Sequence, residues 1–297
     1  MSSIEIQGLT VVYPGGTRAL DGVDLAIETG LFGLLGPNGA GKTTMMKVLA
    51  TLLRPTSGGA RVLGRDVVKE RGAIRSNLGF LPQEFGAYRI LRTGEFIDYM
   101  ARLAGVPGDE RARRVSETLE QVGLEKVRDR KIKKLSGGML RRLGVAQALV
   151  GQPRVLIVDE PTVGLDPEER GRFRTLIGEL AADRVILLST HIVSDIAGAC
   201  ADMALLVKGR LAFRGSPAVL TERARGRTFE LDVLPQDLER QTQGLAVIST
   251  VERDGVLRVR AVGDPAGRAG AELVEPTLED AYVAFMESHE AGEGGRA

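Results

Sequence analysis

A glycine-rich segment, GPNGAGKTT at 36–44, carries the residue types that bind phosphate in proteins. It fits the pattern G-x-x-x-x-G-K-[ST] without a gap, and it lies between the apolar run LFGLLG and a helix expected to begin near Lys42. Glycines allow backbone N–H groups to surround a phosphate, and the helix N-terminus adds a favourable dipole. The Lys42 ammonium can reach the β- and γ-phosphates, and the Thr43 hydroxyl can bind Mg²⁺. We therefore predict a nucleoside triphosphate site formed by Gly36, Pro37, Asn38, Gly39, Ala40, Gly41, Lys42, Thr43 and Thr44.

Two acids end the apolar run LIVDE, and they are the candidates for metal binding and catalysis. An acid at the C-terminal end of a strand points into the crevice where α/β sheets bind ligands. Because side chains alternate along a strand, Asp159 and Glu160 are expected to face different directions. We assign Asp159 to Mg²⁺, through its water shell, and Glu160 to orienting and deprotonating the attacking water. The competing interpretation of Glu160 is a solvated acid in a loop.

Polar residues also lie at the ends of two other apolar runs. Gln83 ends FLPQ, where its amide is placed to contact both Mg²⁺ and water, and His191 ends LLSTH. The position of His191 at a strand end puts its imidazole beside the carboxylates, and we expect it to contact the γ-phosphate rather than to act as the base. Tyr13, just before the turn at 14–16, has two open interpretations, stacking on a purine or packing on its own hairpin.

A second glycine-rich segment, LSGGMLRR at 135–142, also opens an expected helix. It has Ser136 and two glycines at the helix start, as a phosphate-binding turn does, but it contains no lysine to hold a phosphate. Its purpose is not evident in a chain that already has a complete phosphate-binding loop.

The composition is that of an ordinary globular protein. Of 297 residues, 43% are hydrophobic, which is enough for a sizeable core, and the formal net charge of +1 gives no reason to expect a polyanion partner. The single cysteine, Cys200, cannot form an internal disulfide and is expected to be a small buried hydrophobe. The start MSSIEIQ has no secretory signal, and charges interrupt the most apolar window, 185–207, so no transmembrane helix is expected there.

The order of the apolar runs predicts an α/β fold. Continuous apolar runs at 154–160 and 184–190 suit strands of a parallel sheet that is covered on both faces. Residues 4–13 and 20–28 have the pattern of β-strands joined by a turn, and the segment at about 85–150 is helical and charged in pattern. We expect these elements to form one nucleotide-binding domain, at 1–225, with a helical subdomain inside it.

A second, smaller α+β domain is expected at 226–297. Its short strands TFELDVL, AVISTVE and VLRVRAV alternate as strands of an antiparallel sheet do, and the last two are joined by a turn that contains Asp254 and Gly255. A closing helix is predicted from Thr277, with Asp280 as a capping partner, and the tail after Ser288 is expected to be disordered.

In chain order, these motifs resemble those of the ATP-binding cassette family, the nucleotide-binding domains of ABC transporters. The order is Tyr13, the phosphate loop, Gln83, LSGGM, the acid pair, GLDP at 164–167, and His191, and it covers roughly residues 1–225. LSGGM is the most specific of them, because many unrelated enzymes share the phosphate loop. The resemblance implies a P-loop NTPase fold, with an antiparallel β subdomain, that hydrolyses ATP with Mg²⁺.

The resemblance also implies a role for the second glycine-rich segment. Cassettes of this family form head-to-tail dimers around two ATP molecules, so that Ser136, Gly137 and Gly138 of one subunit would cap the γ-phosphate bound by the other. Asp166 would cross the interface near the partner's site. Met139 departs from the Gln that is common at this position, and helical spacing predicts that it faces inward.

The partners implied by the resemblance are separate transmembrane permease subunits. Their coupling helix would enter the groove beside Gln83, with 84–88 as the local contact, so the chain would lie peripherally on the cytoplasmic face of the cell membrane. The closing segment EPTLEDAYVAFM resembles cassettes of ABC-2 type exporters of drugs, lipids or polysaccharides. Pairing with an identical or a different cassette stays open, and the C-terminal domain is either a stabilising appendage or a regulatory element.

An alternative from another class is a soluble cassette ATPase that acts on nucleic acid or ribosomes. DNA-repair members of the family split the cassette with a long coiled coil, and translation-factor members carry two cassettes, but this sequence has neither pattern. Its near-zero net charge also gives no footprint for binding phosphate backbones. A small-molecule kinase would leave LSGGM and GLDP unexplained. The sequence therefore favours the exporter ATPase, with no nucleic-acid partner.

Overall fold

A computed structural model describes residues 3–294, with side chains described through residue 289. These residues form two compact units, which are divided between Arg214 and Gly215. The division precedes the boundary expected after residue 225 because the helix Pro217–Glu222 packs on the closing helix Leu278–Gly294 and so belongs to the second unit.

The central sheet of the first unit is largely parallel. Its strands, in spatial order, are β10 (Arg210–Gly215), β9 (Asp202–Val207), β3 (Gly30–Leu35), β8 (Val185–Thr190), β7 (Val155–Asp159) and β6 (Leu78–Leu81). Strand β3 pairs in parallel with β8 and β9, and β7 pairs in parallel with β6 and β8. Every residue of β7 and β8 is buried, which explains their continuous apolar sequences. The parallel pairing brings the C-terminal ends of these strands to one edge.

An antiparallel sheet completes the β-structure of this unit. Its strands, in spatial order, are β2 (Arg18–Ile27), β1 (Ile4–Val12), β4 (Ser57–Val62) and β5 (Arg65–Asp66). Helix α1 (Lys42–Leu49) shares one apolar core with both sheets: its Met46 and Leu49 are fully buried and cluster with Ile4 of β1 and Val155 of β7. This packing fixes the start of α1 relative to the strand ends.

Helices make up most of the chain between β6 and β7. The helices of the first unit are α1, α2 (Arg71–Arg75), α3 (Thr93–Leu103), α4 (Gly108–Gln121), α5 (Gly137–Leu149) and α6 (Pro167–Leu180). Among the described residues, the connection from β6 to β7 contains α3, α4 and α5 and no β-strand, in line with the helical pattern at about 85–150. Leu143 and Ala146 on the inner face of α5 are fully buried, which holds this helix against its neighbours.

The second unit is built on an antiparallel sheet. Its strands, in spatial order, are β12 (Ala246–Arg253), β13 (Val256–Val262), β11 (Thr228–Val233) and β14 (Glu272–Leu273), and its helices are α7 (Pro217–Glu222), α8 (Leu238–Thr242) and α9 (Leu278–Gly294). Phe229, Leu231 and Val259 form its core. Helix α9 continues past Ser288, where a disordered tail was expected, since Glu and Ala in that segment are good helix formers. The residues after Gly294 lie outside the described part.

Within residues 3–294, no helix combines the length and the apolar composition that crossing a lipid bilayer requires. The apolar window at 185–207 contains strands β8 and β9.

Candidate active site

A cleft of about 420 Å³ lies beside the C-terminal edge of the parallel sheet, within the size range of sites for small ligands. The structure brings Tyr13, the phosphate loop, Gln83 and Glu160 together there, although up to 147 positions separate them in the sequence (160 − 13). The cleft is lined by Tyr13, Thr17, Arg18, Ala19, Asn38, Gly39, Ala40, Gly41, Lys42, Thr43, Thr44, Gln83 and Glu160.

The phosphate loop joins β3 to α1 through a turn that requires glycine. Gly41 has φ +103°, in the left-handed region, and a Cβ at this position would lie 2.4 Å from the carbonyl oxygen of Ala19. Any other residue would therefore meet both a backbone penalty and a steric clash. Gly41 directly precedes Lys42, the first residue of α1, so the loop presents the N-terminus of this helix to the cleft.

Lys42 holds the loop and contacts a carboxylate at the same time. Its ammonium donates to the carbonyl oxygens of Gly36 at 2.6 Å and Pro37 at 3.0 Å, and it lies 3.2 Å from Oε1 of Glu160. An ammonium has three N–H donors, so these partners account for all of them. The side chains of Lys42 and Glu160 are both buried, so the two charges attract each other more strongly than they would in water.

Glu160 is held from several directions. Its Oε2 lies 2.8 Å from Nδ1 of His191, and its backbone N–H donates to Ser189, with 3.1 Å to both the carbonyl oxygen and Oγ. The residue has φ +44°, an unusual backbone conformation for a residue with a Cβ. This turn, directly after β7, sends the Glu160 side chain toward Lys42 and His191. His191 lies beside a carboxylate, as its place at the end of β8 predicted.

Asp159 and Glu160 contact different side chains, as expected for two acids that face different directions, although Glu160 lies after the end of β7. Asp159 is almost fully buried, and its Oδ1 accepts a short hydrogen bond from the Ser189 hydroxyl. Its Oδ2 is buried and has no hydrogen-bond partner among the described residues. A buried carboxylate oxygen without a partner calls for an explanation, and an ion or its bound water supplies one.

The residues present fit a magnesium ion that is bound together with a nucleotide. Among the described residues, no group of three or more His, Cys, Asp and Glu could hold a metal ion. Mg²⁺ bound with a nucleotide takes one or two protein oxygens and completes its shell with phosphate and water. The unpartnered oxygen of Asp159 and the hydroxyl of Thr43 suit such a site, and the amide of Gln83 remains a predicted third contact.

Tyr13 stands at the rim of the cleft. Its hydroxyl lies 3.1 Å from the hydroxyl of Thr44 in the first turn of α1, and its backbone bonds to Thr17 and Gly16 close the turn between β1 and β2. The aromatic ring is therefore tethered beside the phosphate loop. This position suits stacking on a purine, which stays a prediction, and the hydrogen bond to Thr44 gives the ring a structural role as well.

The residues of the second glycine-rich segment do not line the cleft. Ser136 caps α5, where its Oγ accepts from the backbone N–H of Met139 at 3.2 Å, and Asp166 caps α6 in the same way through Glu169 at 2.8 Å. As an acceptor in this cap, the Ser136 hydroxyl keeps its own proton available for donation. Gly137 is exposed and Gly138 is buried.

Met139 was expected to face inward, and it does so only in part. It is half-buried, and its sulfur lies 3.9 Å from a guanidinium nitrogen of Arg130. Leu143, one helical turn further along the same stripe, is fully buried. The stripe is therefore fully buried only from Leu143 onward, because the first turn of α5 is partly exposed.

Two residues that hold the site were missed in the sequence. Ser189 binds both Asp159 and the backbone N–H of Glu160. Arg141 donates to the carbonyl oxygens of Glu160 and Gln83. Both stand inside quoted motifs, LLSTH and LSGGMLRR. Nothing in their types or spacing distinguishes them from ordinary strand and helix residues, so only the packing of β7, β8 and α5 shows their contacts.

Comparison with known proteins gives one consistent family. The sequence model described as "ABC transporter" matches residues 20–163. A dimeric, post-hydrolysis structure of the ATP-binding cassette MJ0796 bound to ADP and Pi is similar to 72% of this chain and 98% of that one, with 25% identity and a TM-score of 0.64.

Curated relatives extend the similarity beyond that segment. The probable multidrug ABC transporter ATP-binding protein YbhF of Escherichia coli is 38% identical over 261 residues, or 87% of this chain, but the chain spans only 45% of that relative's length. The daunorubicin/doxorubicin resistance ATP-binding protein DrrA of Streptomyces peucetius is 36% identical over 289 residues, 93% of this chain and 86% of the relative. The chain therefore belongs to the ABC transporter family, and it carries that family's ATP-binding, ATP-hydrolysing domain.

Proposed function

We propose that this chain is the ATP-hydrolysing, energy-coupling subunit of an ABC exporter, working as a head-to-tail dimer with separate transmembrane subunits. The observation that carries the proposal is the division of the phosphate-binding groups. Lys42, Thr43 and Glu160 share one cleft, while Ser136 lies at a helix start outside it. A second cassette that presents its own Ser136 to the cleft would complete the site.

The names of the relatives support export. The proteins with the similarities described above are a probable multidrug transporter ATP-binding protein and a drug-resistance ATP-binding protein. The similar cassette bound to ADP and Pi is dimeric. We extend these properties to this chain as part of the proposal, together with a peripheral place on the cytoplasmic face of the membrane.

The geometry supports a hydrolysis step in which Glu160 acts on water. A phosphate in the loop would draw the Lys42 ammonium to its oxygens and release Oε1 of Glu160 from the ion pair at 3.2 Å. The contact of 2.8 Å with His191 would keep the carboxylate aimed into the cleft. Glu160 would then take a proton from water as the water oxygen attacks the γ-phosphorus and the bond to the β-phosphate oxygen breaks.

The residues around this step would hold its other components. Thr43, and Asp159 through the ion's water shell, would bind Mg²⁺, which would supply charge neutralisation at the phosphates. Gln83 would contact the ion and the water, and Tyr13 would stack on the base. Ser136, Gly137 and Gly138 of the second cassette would donate hydrogen bonds to the γ-phosphate, and the dipole of α5 would favour its negative charge.

Glu160→Gln tests the proposal. The variant keeps the shape of the side chain but cannot accept the proton, so turnover should fall by at least about a hundredfold while ATP still binds. Because bound ATP would then persist, the variant should elute as a dimer from size-exclusion chromatography in saturating MgATP. High protein concentration and the Lys42→Ala variant, which should stay monomeric, provide the controls.

A Glu160→Gln protein that binds ATP but stays monomeric would contradict the head-to-tail dimer. The exporter assignment is tested separately, by expressing the chain with the membrane protein encoded next to its gene. Co-purification of the two, with ATPase activity that responds to the membrane partner, is the expected result. Absence of any membrane partner would remove the transport part of the proposal and leave the ATPase intact.

A further inference from the structure

A single arginine on α5 contacts the backbone at the ends of two neighbouring strands. The Arg141 Nε donates to the carbonyl oxygen of Pro161 at 2.7 Å, and Nη2 donates to that of Glu160 at 2.9 Å. Nη1 donates to the carbonyl oxygens of Gln83 at 2.8 Å and Pro82 at 3.3 Å. Every nitrogen of the guanidinium is therefore used, and its planar fork spans the segments after β6 and β7.

These carbonyls are the partners of the Arg141 charge. Within the part of the chain that the structure describes, no carboxylate forms an ion pair with this half-buried guanidinium. Burial lowers the pKa of Arg141, and the nearby charge of Asp159 opposes that shift. Arginine side chains stay charged in proteins. Hydrogen bonds from a charged donor are stronger than neutral ones, so the guanidinium restrains the backbone segments that it contacts.

One of these segments is the turn that aims Glu160. Residues with a Cβ disfavour the positive φ that Glu160 adopts, and such a conformation persists only where the surroundings hold it. Ser189 holds the N–H side of this residue, with 3.1 Å to both of its oxygens. Arg141 holds the carbonyl side. With both peptide groups fixed, the Glu160 side chain keeps its direction toward Lys42 and His191.

We propose that Arg141 is a positioning residue for ATP hydrolysis: its guanidinium fixes the backbones of Glu160 and Gln83 relative to each other and ties both to the helix that begins at Ser136. The inference goes beyond the proposed export function, because it rests only on the ATPase site. Arg141 lies in the second turn of α5, so a shift of this helix moves the guanidinium and, with it, both backbone segments.

Arg141→Lys in the full chain tests the assignment. A lysine is a point charge on a flexible stem and cannot span carbonyls on two strand ends. We expect kcat for ATP hydrolysis to fall by about ten- to a hundredfold, because small misplacements of catalytic groups have effects of this size. ATP affinity, measured by titration with a fluorescent analogue, should stay within about threefold, because Arg141 does not line the cleft. Amide hydrogen exchange should speed up in the peptides that contain Gln83 and Glu160.

Arg114→Lys is the matched control. Arg114 is another partly buried arginine, and it donates to the carbonyl oxygen of Val150 at 3.4 Å and to the carboxylate of Glu110 at 3.5 Å. We expect this variant to keep the kcat of the parent protein and its exchange rates near Gln83 and Glu160. Comparing the two variants separates the loss of a buried guanidinium in general from the loss of the contact beside the site.

Three results would overturn the assignment. The first is a kcat within about threefold of the parent value, the second is unchanged exchange in both peptides, and the third is a parallel fall in kcat and ATP affinity. If Arg141→Lys does not fold, the same measurements are made on Arg141→Gln, which keeps one donor group. If neither variant folds, Arg141 serves the stability of the fold and the proposal fails.

Discussion

At the scale of single residues, the site depends on the contacts that its carboxylates make with neighbouring side chains. The Glu160 carboxylate lies between the Lys42 ammonium at 3.2 Å and the His191 imidazole at 2.8 Å. Arrival of phosphate at Lys42 would break the first contact and leave the second, so the nucleotide itself would prepare the acid for catalysis. Asp159 is bound to Ser189 by one carboxylate oxygen, and its other oxygen has no hydrogen-bond partner among the described residues.

Gly138 shows why the second glycine of LSGG has to be small. A Cβ there would lie 2.1 Å from Oε2 of Glu169, whereas a Cβ at Gly137 would have no atom within 4 Å. Glu169 is held in this place by Arg142, 3.8 Å away, and Arg172, 3.3 Å away. The small residue therefore lets α5 and α6 approach closely at the helix starts that carry Ser136 and Asp166.

We expect Gly138→Ala to lower the free energy of unfolding by about 1 kcal/mol or more, because the added methyl displaces the Glu169 carboxylate. Gly137→Ala should instead raise the free energy of unfolding slightly, because alanine has the higher helix propensity. Urea unfolding of both variants provides the measurement. In a Glu169→Ala background the cost at position 138 should disappear, and an unchanged cost there would show that some other contact is responsible.

At the scale of secondary-structure elements, the start of α9 is fixed by a buried carboxylate. Burial raises the pKa of Asp280, but hydrogen bonds from Arg260 and Thr277 together lower it by more than burial raises it. The pKa therefore lies below its ordinary value. Arg260 donates to both carboxylate oxygens, at 2.9 and 2.7 Å, and the Thr277 backbone N–H donates at 2.7 Å. This arrangement anchors α9 to β13, and the sequence predicted only its capping part.

Asp280→Asn should therefore lower the free energy of unfolding of the second unit by about 2 kcal/mol at neutral pH, because it weakens the hydrogen bonds of the buried carboxylate and leaves the Arg260 guanidinium with Glu230, at 3.1 Å, as its remaining charge partner. The low pKa means that this stabilisation is present above the unfolded-state pKa, near 3.9, and is lost as pH falls through the folded-state value. Urea unfolding of the full chain between pH 7 and 3 should show a flatter acid dependence in the variant.

Asp254→Asn is the control for that comparison. Asp254 sits at φ +51° in the turn between β12 and β13, where asparagine is equally suited. Its effect should stay within about 0.5 kcal/mol at every pH. An acid dependence in Asp280→Asn as steep as in the parent protein would mean that other carboxylates control the acid unfolding of this unit.

At the scale of the whole molecule, Ser136 lies outside the cleft that Lys42, Thr43 and Glu160 line, so the proposed dimer would form each site from two chains. The proposed dimer predicts complementation between variants that are each inactive. Ser136→Arg removes the group offered to the partner, and Lys42→Ala removes the chain's own phosphate contact. In a mixed dimer, the Ser136→Arg subunit keeps its phosphate loop and meets an intact Ser136 from the other subunit, so one of the two sites is whole.

An equal mixture of the two variants should therefore recover turnover that neither variant has alone, because each mixed dimer has one complete site. Where the chains pair at random, about half of the dimers are mixed and the recovery is roughly a quarter of the parent turnover. The measurement is phosphate release with saturating MgATP, with each variant alone as the reference. Turnover in the mixture equal to the sum of the separate variants would contradict a site shared between subunits. Normal turnover in Ser136→Arg alone would contradict it as well.

The sequence predicted the strands β3, β6, β7 and β8, the helices α1 and α5 and the α/β fold correctly, but it did not predict β4, β5 or α6. Hydrophobic periodicity is a local property, so it was sufficient to place β7, β8 and the helical segment that contains α5. It was less reliable where elements end or pack: α9 is longer than expected, and the second unit begins at Gly215 rather than after residue 225. Ends of elements depend on tertiary contacts that the periodicity does not contain.

By itself, the sequence determined the chemistry available to this protein. The loop at 36–44, the pair Asp159 and Glu160, and the capped start at Ser136 are defined by residue types at fixed local spacing. Only the tertiary structure decided which groups touch. Sheet order places β7 between β6 and β8, so Ser189 reaches Asp159 and the α5 residue Arg141 reaches the carbonyls of Gln83 and Glu160. Such contacts depend on strand order and helix packing, which local spacing does not specify.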